Sequence, residues 1–413
     1  MSKPPVIDAN YLTNVISLIE SKESKKRPLL ACAIMVKNEA PRIVKTMSSL
    51  VGYAGIFVIM DTGSEDDTVQ VVKDYCKKKR LRLHLFEEPF IDFATSRNRL
   101  LQECQGKSDF IITLDANEEA KNPVFLPLYL DHVKKDKESE HSSIFSVRFH
   151  LENDMGRQGS SMHFTRISLI RNNLWDEIYY EMPVHERIAC KRCDKCEMHK
   201  RCDECKARKK HVNDCTLLNT PFHLYQDRAQ DKKSDTRYPN DIIELEKYGK
   251  EHGYGVRVLH YLCQTSINMK NYEALHDYAE RLIKFDDGEK YIEFVFFAYM
   301  HLGTSKRKLG KKGWLESYLQ AHKYSKRRFE RCEPMYTLCV HYYAEKDKVK
   351  ALKYARKACK VPLPDKKDSL LDCQIDYNVY NKMRWLVRDH LEYEMDLRPL
   401  PPDKKLTKLT VQD

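Results

Sequence analysis

The sequence predicts an α/β domain followed by an α-helical domain, and three observations indicate this order. Apolar runs of strand length at 29–36, 56–60 and 109–114 alternate with helix-like segments, as the buried strands of a parallel sheet do. Each run ends in a polar segment, KNEAPR, DTGSEDDT or DANEE. From Tyr238 onward, apolar residues recur at helical spacing and few strand signals remain. Because ligands bind beyond the carboxyl ends of strands in open α/β sheets, we expect a site among these polar segments.

The composition is that of a water-soluble chain with more than one domain. At 413 residues, 42% of them hydrophobic, the chain is long enough for two domains with cores. The mean hydropathy is −0.64, and no apolar run approaches the roughly 20 residues of a membrane span. The N-terminus MSKPPVIDANYL lacks the apolar core of a secretory signal, so we expect a cytoplasmic protein, in the host cytoplasm if the chain is viral. The 14 cysteines are then expected to be metal ligands or free thiols.

The net charge of +11 is concentrated in one segment. Between Lys191 and Lys210 there are nine basic and four acidic residues, so this segment contributes +5 and the rest of the chain is only mildly basic. No Phe, Tyr or Trp that could stack on a base occurs from Cys190 to Cys215. We therefore expect no nucleic-acid partner.

The chain is divided by composition and pattern into three parts. Residues 1–28 hold an amphipathic helix, ANYLTNVISLIE, and a charged linker. Residues 29–237 hold the α/β domain, in which LPLYLDHVKK favours a helix and the alternating runs SIFSVRFHL and HFTRISLIR favour antiparallel or mixed strands. A Cys/His-rich insert at 190–215 interrupts this domain, and residues 238–413 form the helical domain.

Five sequence blocks in a fixed order carry a family resemblance. AIMVKNEAPRIVKTMSSL, VIMDTGSEDDT, DFATSRNRL, ITLDANEE and PVHERI resemble the family 2 glycosyltransferases with the GT-A fold. They are most similar to the cytosolic subgroup whose pattern reads KNE, DTGSTDGT, DFSAARN, LDADE and VHE. The resemblance covers roughly residues 29–227. It implies inverting transfer of a hexosyl or N-acetylhexosaminyl group from a nucleoside diphosphate sugar to an acceptor hydroxyl on a protein or glycan.

The block DANE is the counterpart of the family's Asp-x-Asp motif, which implies a metal site. Asp115 and Asn117 would place two oxygen donors on one side of a hard cation, and Mn²⁺ and Mg²⁺ suit such ligands together with phosphates. An asparagine amide brings no charge, so either metal affinity is weaker or Glu118 replaces Asn117 as the ligand. The alternative is a strand-terminating turn with exposed acids.

The block PVHE implies the third metal ligand and the catalytic base. His185 would lie near the metal, where a neutral imidazole nitrogen completes the coordination. Glu186 would then take the proton of the acceptor hydroxyl as that hydroxyl attacks the anomeric carbon. Three other carboxylates are rivals for the role of base: Glu181, Glu177 and Asp176. Alternatively, His185 is a partly buried histidine that caps a strand.

The ends of the first two strands are expected to bind the base and ribose. Asp61 can accept hydrogen bonds from a pyrimidine N–H or from ribose hydroxyls, and Gly63 lets the backbone turn close to the ligand. Asn38 and Glu39 would face the same nucleotide. The alternative for the segment after Gly63 is a simple helix cap.

The block DFATSRN supplies further nucleotide contacts. Arg97 can bind phosphate oxygens with two parallel hydrogen bonds, and Asp92 and Asn98 accompany it in the motif. The alternative is a surface ion pair between Asp92 and Arg97.

The insert carries a zinc signal. Paired C-x-x-C steps with histidines are typical of structural zinc in a reducing compartment. Eight side chains could fill one or two tetrahedral sites: Cys190, Cys193, Cys196, His199, Cys202, Cys205, His211 and Cys215. The alternative is a basic loop whose thiols are free.

The helical domain contains a weak repeat of the tetratricopeptide type. The large and small residues expected where paired helices approach each other are Leu338, Tyr342, Ala351, Ala355 and Ala358, followed by Pro362. A less regular copy runs from 256 to 285. Such repeats stack on one another, and beside a transferase site they often present an acceptor. The alternative is a helical bundle with alanines at its close contacts.

Three hypotheses of function follow. The first is a metal-dependent glycosyltransferase. The second is a catalytically decayed transferase that acts as a protein-binding scaffold, for which Asn117 is the main support. The third is a zinc-knuckle nucleic-acid binder, which salt-sensitive binding to generic RNA or DNA would reveal.

Overall fold

The computed structural model divides into two units, Met1–Lys233 and Ser234–Asp413. The first contains a large sheet with flanking helices, and the described residues of the second form helices with turns between them. The described residues are 7–135, 144–153, 161–172, 178–190, 215–218, 220–229, 237–285, 291–326, 330–363, 379–380, 384–395 and 397.

The first unit is built from eleven described strands and six described helices. The strands are β1 (Leu30–Val36), β2 (Ile56–Asp61), β3 (Leu83–Glu87), β4 (Phe110–Asp115), β5 (Glu119–Lys121), β6 (Ile144–Glu152), β7 (Ser161–Arg171), β8 (Ile178–Glu181), β9 (Arg187–Cys190), β10 (Cys215–Leu217) and β11 (His223–Asp227). The helices are α1 (Ala9–Glu20), α2 (Lys22–Lys26), α3 (Ile43–Ser48), α4 (Thr68–Lys79), α5 (Phe93–Glu103) and α6 (Leu126–Lys135).

The main sheet is mixed and has the order β3-β2-β1-β4-β7-β6-β11-β5, with β10 also beside β6. Strands β3, β2, β1 and β4 are parallel, because a helix crossover separates each from the next along the chain. Strand β7 pairs antiparallel with both β4 and β6. The parallel strands of the sheet are therefore joined to the remaining strands through β7.

Both faces of β1, β2 and β4 are buried, which explains why these three strands read as continuous apolar runs. Alternate residues of β1 point to opposite faces: Cys32 and Ile34 join one core cluster, and Ala31 and Ala33 join the other. The first cluster includes residues of α3, α4 and α6, and the second includes residues of α5.

A separate hairpin, β8 with β9, packs against α5. Ile178, Tyr180 and Ile188 of the hairpin share a core cluster with Ala94 and Leu100 of that helix. The five residues that connect the two strands, 182–186, include the VHE motif. The hairpin thus places the VHE motif beside α5, the helix that contains most of the DFATSRN block.

The second unit is described as eight helices. They are α7 (Arg237–His252), α8 (Val256–Asn268), α9 (Tyr272–Ile283), α10 (Ile292–Lys308), α11 (Trp314–Ser325), α12 (Glu333–Ala344), α13 (Lys348–Lys360) and α14 (Arg384–Glu394). Close packing is visible where α10 meets α11: a Cβ atom added at Gly303 would lie 2.9–3.0 Å from the ring of Tyr318. Ala351, Ala355 and Ala358 are buried, as small residues at helix contacts should be. The tetratricopeptide repeat itself stays a prediction.

The structure confirms the predicted fold class, a mixed α/β sheet followed by helices. The amphipathic N-terminal segment is α1, the LPLYLDHVKK segment is α6, and the two alternating runs are β6 and β7. Strand β3 was not predicted, because all of its residues are only partly buried or exposed and its apolar signal is short. No described helix is long and apolar enough to cross a bilayer. Seven described cysteines are buried free thiols: Cys32, Cys76, Cys104, Cys263, Cys332, Cys339 and Cys359.

Candidate active site at the carboxyl edge of the sheet

The carboxyl ends of β2, β1 and β4 meet at one edge of the sheet. In the strand register, Val36 lies beside Asp61 and Met35 lies beside Asp115. Two steps between neighbouring strands therefore separate the two aspartates, a distance of roughly 10 Å along the sheet. This edge is where a parallel sheet of this type binds its ligand.

Five charged side chains converge beyond β4, and we call them the edge cluster: Arg97, Asp115, Glu118, Arg166 and Glu186. Arg97 joins two of the carboxylates, since its Nη2 donates to Asp115 Oδ1 at 2.8 Å and its Nε donates to Glu186 Oε1 at 2.5 Å. The guanidinium of Arg97 is 13% exposed, the Glu186 side chain 17% and the Asp115 side chain 40%. Asp115 is therefore the carboxylate of these that is most accessible to a ligand.

Behind Asp115, a buried carboxylate pairs with a partly exposed arginine. Arg166 of β7 donates from Nη1 and Nη2 to the two carboxylate oxygens of Glu118, each at 2.6 Å. The Glu118 side chain is 1% exposed. Nη1 of Arg166 also lies 3.6 Å from Asp115 Oδ2, which is an ion-pair distance but too long for a hydrogen bond.

The cluster shifts the pKa of each of these groups in a direction that its contacts explain. Burial raises the pKa of Asp115, but the nearby Arg97 and Arg166 outweigh this and hold the pKa well below its usual range. Burial alone would lower the pKa of Arg97, but Asp115 and Glu186 raise it well above its usual value. Burial raises the pKa of the Glu118 carboxyl, and Arg166 opposes that shift. Asp115 is thus ionised at neutral pH, and the charge of Glu118 depends on Arg166.

The second residue of the metal motif has a protein partner. Asn117 Oδ1 accepts a hydrogen bond from Gln226 Nε2 of β11 at 2.7 Å. Glu118, the alternative ligand, faces Arg166 instead. His185 lies in the loop between β8 and β9 with a left-handed backbone (φ 55°). The metal roles of Asn117 and His185 remain predictions.

A second polar group links the ends of β1 and β2. The carboxylate of Asp61 accepts hydrogen bonds from the backbone N–H groups of Gly63 and Ser64 at 2.9 and 2.8 Å, and from Ser64 Oγ at 2.5 Å. Asn38 N–H donates to Ser64 Oγ at 2.9 Å, and Asn38 Oδ1 accepts from Glu65 N–H at 2.8 Å. Gly63 has a φ of 97°, which glycine adopts without strain. Asp61 therefore shapes the turn that was expected to approach the nucleotide.

Two other predicted nucleotide contacts, Glu39 and Asp92, hold local structure. Glu39 forms two 2.8 Å hydrogen bonds with the guanidinium of Arg42. Asp92 caps α5 by accepting from Thr95 N–H and Oγ1, each at 2.7 Å. Asp92 therefore does not form the alternative ion pair, since Arg97 binds the two carboxylates of the edge cluster.

Asn98 fastens the hairpin to α5. Its Nδ2 donates to Tyr180 O at 2.8 Å, and its Oδ1 accepts from Tyr180 N–H at 2.7 Å. The neighbouring Phe93 N–H donates to Pro183 O at 3.1 Å, which adds a second attachment to the same loop. These contacts hold the loop with Glu186 beside Arg97.

The chemistry of the edge cluster fits Mn²⁺ or Mg²⁺, the ion that the resemblance implies. Asp115 offers an ionised, partly exposed carboxylate at a strand end. Across the described ranges, no three or more His, Cys, Asp or Glu side chains are grouped to hold a metal ion. A nucleotide-bound Mg²⁺ commonly takes only one or two carboxylates and receives its other ligands from phosphates and water. One accessible carboxylate is therefore sufficient as the charged protein ligand.

Some of the predicted residues lie outside the described part of the chain. These are the rival carboxylates Asp176 and Glu177, and six of the zinc candidates: Cys193, Cys196, His199, Cys202, Cys205 and His211. The other two zinc candidates, Cys190 and Cys215, end β9 and begin β10. The zinc site stays a prediction. Glu181, the described rival for the base, pairs with Arg187 across the hairpin.

Two residues of the site were missed by sequence reasoning. Arg166 lies in the alternating run HFTRISLIR, where a charged residue reads as part of a solvated strand face. Gln226 lies in β11, 109 residues from its partner Asn117. The sequence indicated only that each residue lies in a strand. Their partners in the site depend on the order of the strands in the sheet, which the sequence does not give.

Comparison with known proteins finds a family similarity over part of the chain. Residues 32–216 match the family model described as glycosyl transferase family 2. The glycosyltransferase SunS of Bacillus phage SPbeta and the SPbeta prophage-derived SunS of Bacillus subtilis (strain 168) are each 29% identical over 104 residues. That region is 25% of this chain and 24% of theirs, so the chain spans about a quarter of the length of the curated relatives it matches.

Solved structures with low overall similarity were also found. S. aureus TarS 1–349 in complex with UDP-GlcNAc is 14% identical, with a TM-score of 0.33, over 89% of this chain and 92% of that one. Glucosyl-3-phosphoglycerate synthase from Mycobacterium tuberculosis, in complex with Mn²⁺ and UDP-glucose, is 11% identical, with a TM-score of 0.27, over 42% of this chain and 64% of that one. Residues 32–216, which include most strands of the mixed sheet, are thus similar to the glycosyl transferase family 2 model.

Proposed function

We propose that this chain is a metal-dependent, inverting glycosyltransferase that moves a sugar from a nucleoside diphosphate sugar to an acceptor hydroxyl. The observation that carries the proposal is the edge cluster, in which the accessible carboxylate of Asp115 and the carboxylate of Glu186 share the guanidinium of Arg97. A family 2 domain supplies the reaction class. We further propose 29–237 as the catalytic domain and 238–413 as a repeat domain.

Asp115 and Arg97 would handle the diphosphate of the donor. When bound, Mn²⁺ or Mg²⁺ would supply positive charge to the departing diphosphate, with Asp115 as its charged ligand and Asn117 and His185 as neutral ones. Arg97 holds a second positive charge in a site where it is 13% exposed, and a guanidinium acts more strongly there than in water. Its two carboxylate partners fix its orientation before the substrate arrives.

Glu186 would act as the general base. Inversion requires a carboxylate that removes the acceptor proton while the acceptor oxygen attacks the anomeric carbon from the side opposite the leaving diphosphate. Glu186 lies within the same hydrogen-bonded group as Asp115, whereas Glu181 pairs with Arg187 in the hairpin. The new C–O bond forms as the bond to the diphosphate oxygen breaks, and Glu186 carries the proton.

The turn that Asp61 shapes would bind the nucleoside. Asn38, Glu39 and Gly63 border it, and Gly63 leaves space where a side chain would otherwise stand. The acceptor is proposed to be a protein or glycan presented by the helical repeats.

The scaffold hypothesis remains the second candidate because of one contact. The family pattern has an acidic residue where this chain has Asn117, so this position carries no charge here. Its amide oxygen also accepts a hydrogen bond from Gln226. A decayed site would still fold but would not bind a sugar nucleotide.

A donor screen separates the two. The full-length protein would be incubated with a panel of sugar nucleotides, with Mn²⁺ or with a chelator, while released nucleotide and thermal shift are recorded. The proposal predicts turnover or stabilisation by one donor that the chelator abolishes. A folded protein that responds to no donor would favour the scaffold.

A further inference from the structure

The turn that carries Asp115 is closed by its own residues. Glu118 N–H donates to Asp115 O at 3.0 Å, and Glu118 Oε2 accepts from Asp115 N–H at 3.0 Å. The buried hydroxyl of Thr46 donates to Ala116 O at 2.6 Å. The backbone of Asp115 is therefore fixed by a reciprocal pair of hydrogen bonds with Glu118.

Glu118 is in turn held by a single arginine. With a side chain only 1% exposed, its carboxylate depends on the two 2.6 Å bonds from Arg166 for compensation. Arg166 is itself fixed, since its Nε donates to Ser168 Oγ at 3.1 Å and its guanidinium lies 4.8 Å from the ring centre of Phe149. A chain of contacts thus runs from β7 through Glu118 to the accessible carboxylate.

We propose that Arg166 and Glu118 are positioning residues for Asp115, an inference that rests on the proposed function. Arg166 orients Asp115 in two ways. First, it binds Glu118, whose side chain and N–H fix the Asp115 backbone. Second, its Nη1 lies 3.6 Å from Asp115 Oδ2, an ion-pair distance at which this oxygen accepts no hydrogen bond from Arg166. That oxygen therefore stays available to a ligand while the other one is bound by Arg97. Arg166 and Glu118 thus hold in place the single carboxylate that would bind the cation.

Arg171 offers a matched control on the same strand. Its Nη2 donates to Val133 O at 2.7 Å, and its guanidinium lies 5.4 Å from the ring centre of Phe110. It lies beside Phe110 at the start of β4, whereas Asp115 ends that strand. Arg166→Gln and Arg171→Gln therefore remove the same charge from two positions of β7, one of which supports Asp115.

The test is the affinity for Mn²⁺ alone, measured on the full-length protein by electron paramagnetic resonance of the free ion. We expect Arg166→Gln to weaken Mn²⁺ binding roughly 10- to 100-fold, as loss of an outer support does. Arg171→Gln should change it less than about twofold by the same reasoning. Melting temperatures of both variants report any general loss of structure. In turnover assays, the Mn²⁺ half-saturation should rise with the KM for acceptor unchanged.

Arg166→Lys is a second, more conservative variant, which keeps the test informative if Arg166→Gln does not fold. Lysine keeps the charge but cannot donate in parallel to both Glu118 oxygens, so we expect an intermediate loss of Mn²⁺ affinity. Equal Mn²⁺ affinity in the wild type and in Arg166→Gln, or equal losses in Arg166→Gln and Arg171→Gln, would overturn the positioning role alone. A wild-type protein that binds no Mn²⁺ would overturn this inference, whereas the donor screen decides the proposed function separately.

Discussion

Each unit of the molecule places arginine among carboxylates, but the two units do so in different ways. In the first unit, the edge cluster places Arg97 and Arg166 beside a carboxylate, Asp115, that is 40% exposed. In the second unit, Arg331 is 0% exposed and is enclosed by Glu293 and Glu333. Phe296 and Phe297 lie on the same guanidinium, each with its ring centre at 5.3 Å.

The difference lies in what the surrounding groups leave accessible. Around Arg331, Tyr380 donates to Glu333 Oε2 at 2.9 Å and accepts from Cys332 N–H at 2.9 Å, so the network closes on itself. In the edge cluster, the buried Glu118 and its partner Arg166 hold Asp115, a carboxylate that is 40% exposed and that we propose as a metal ligand. Burial of charge alone is thus a structural feature, and a functional site needs one member of the network to reach solvent.

The largest expected effect separates catalysis from folding. Glu186→Gln should lower the rate of sugar transfer by roughly 10²- to 10⁴-fold, because the amide cannot take the acceptor proton. Donor affinity and melting temperature should change little. Steady-state transfer rates and donor titrations check this. The matched control is Glu181→Gln in the same hairpin, and a larger loss in that variant would move the role of base to Glu181.

The next effect concerns the closed network of the second unit. Arg331→Met should cost about 3–5 kcal/mol of unfolding free energy, because it removes a buried cation from beside the buried Glu293 and the partly buried Glu333. Lys348, which is 47% exposed and pairs with a Glu394 side chain that is 25% exposed, is the control, and its replacement by Met should cost less than about 1 kcal/mol. Urea unfolding measures both. Similar costs for the two variants would contradict the distinction between enclosed and exposed pairs.

A pH effect should follow from a buried histidine of the second unit. Burial lowers the pKa of His301 from its usual 6.5 to about 4, so the folded protein holds it neutral while the unfolded chain binds a proton. The contribution of neutral His301 to the free energy of unfolding is fully present above pH 6.5. As the pH falls toward 4, the free energy of unfolding should decrease by about 2–3 kcal/mol. Urea unfolding of the second unit's transition at several pH values tests this. His301→Phe should flatten the dependence, and an unchanged slope would refute it.

The smallest effect sharpens the account of the metal motif. Asn117→Asp should tighten Mn²⁺ binding roughly tenfold, because it adds a charged ligand while Gln226 can still donate to the new carboxylate. Titration with Mn²⁺ measures it. Asn122→Asp, in the following turn, controls for a general effect of negative charge. No change in Asn117→Asp would mean that this side chain is not a ligand.

Much of the sheet could be predicted because its strands carry local signals. The buried strands β1, β2 and β4 are continuous apolar runs, and the helix Leu126–Lys135 has clear periodicity. The polar ends of those strands also indicated the sheet edge at which the edge cluster lies. Strand β3 escaped notice because an edge strand that is only partly buried has a weak apolar pattern.

The contacts within the site could not be predicted, for a physical reason. Arg166 and Glu118 are 48 residues apart, and they meet only because β7 pairs with β4 in the sheet. Arg97 and Glu186 are 89 residues apart and meet because the hairpin packs on α5. Sequence motifs identified Arg97, Asp115 and Glu186 singly, but their hydrogen bonds depend on strand order and packing.

The most direct test of the account is the donor affinity of Asp115→Asn, which keeps the shape of the side chain and removes its charge. Calorimetric titration with the donor identified in the screen, in the presence of Mn²⁺ and then of chelator, compares it with the wild type. The account predicts Mn²⁺-dependent donor binding in the wild type that is lost in Asp115→Asn, with the melting temperature retained. Equal donor affinity in the two proteins, with and without Mn²⁺, would contradict the central role of this carboxylate.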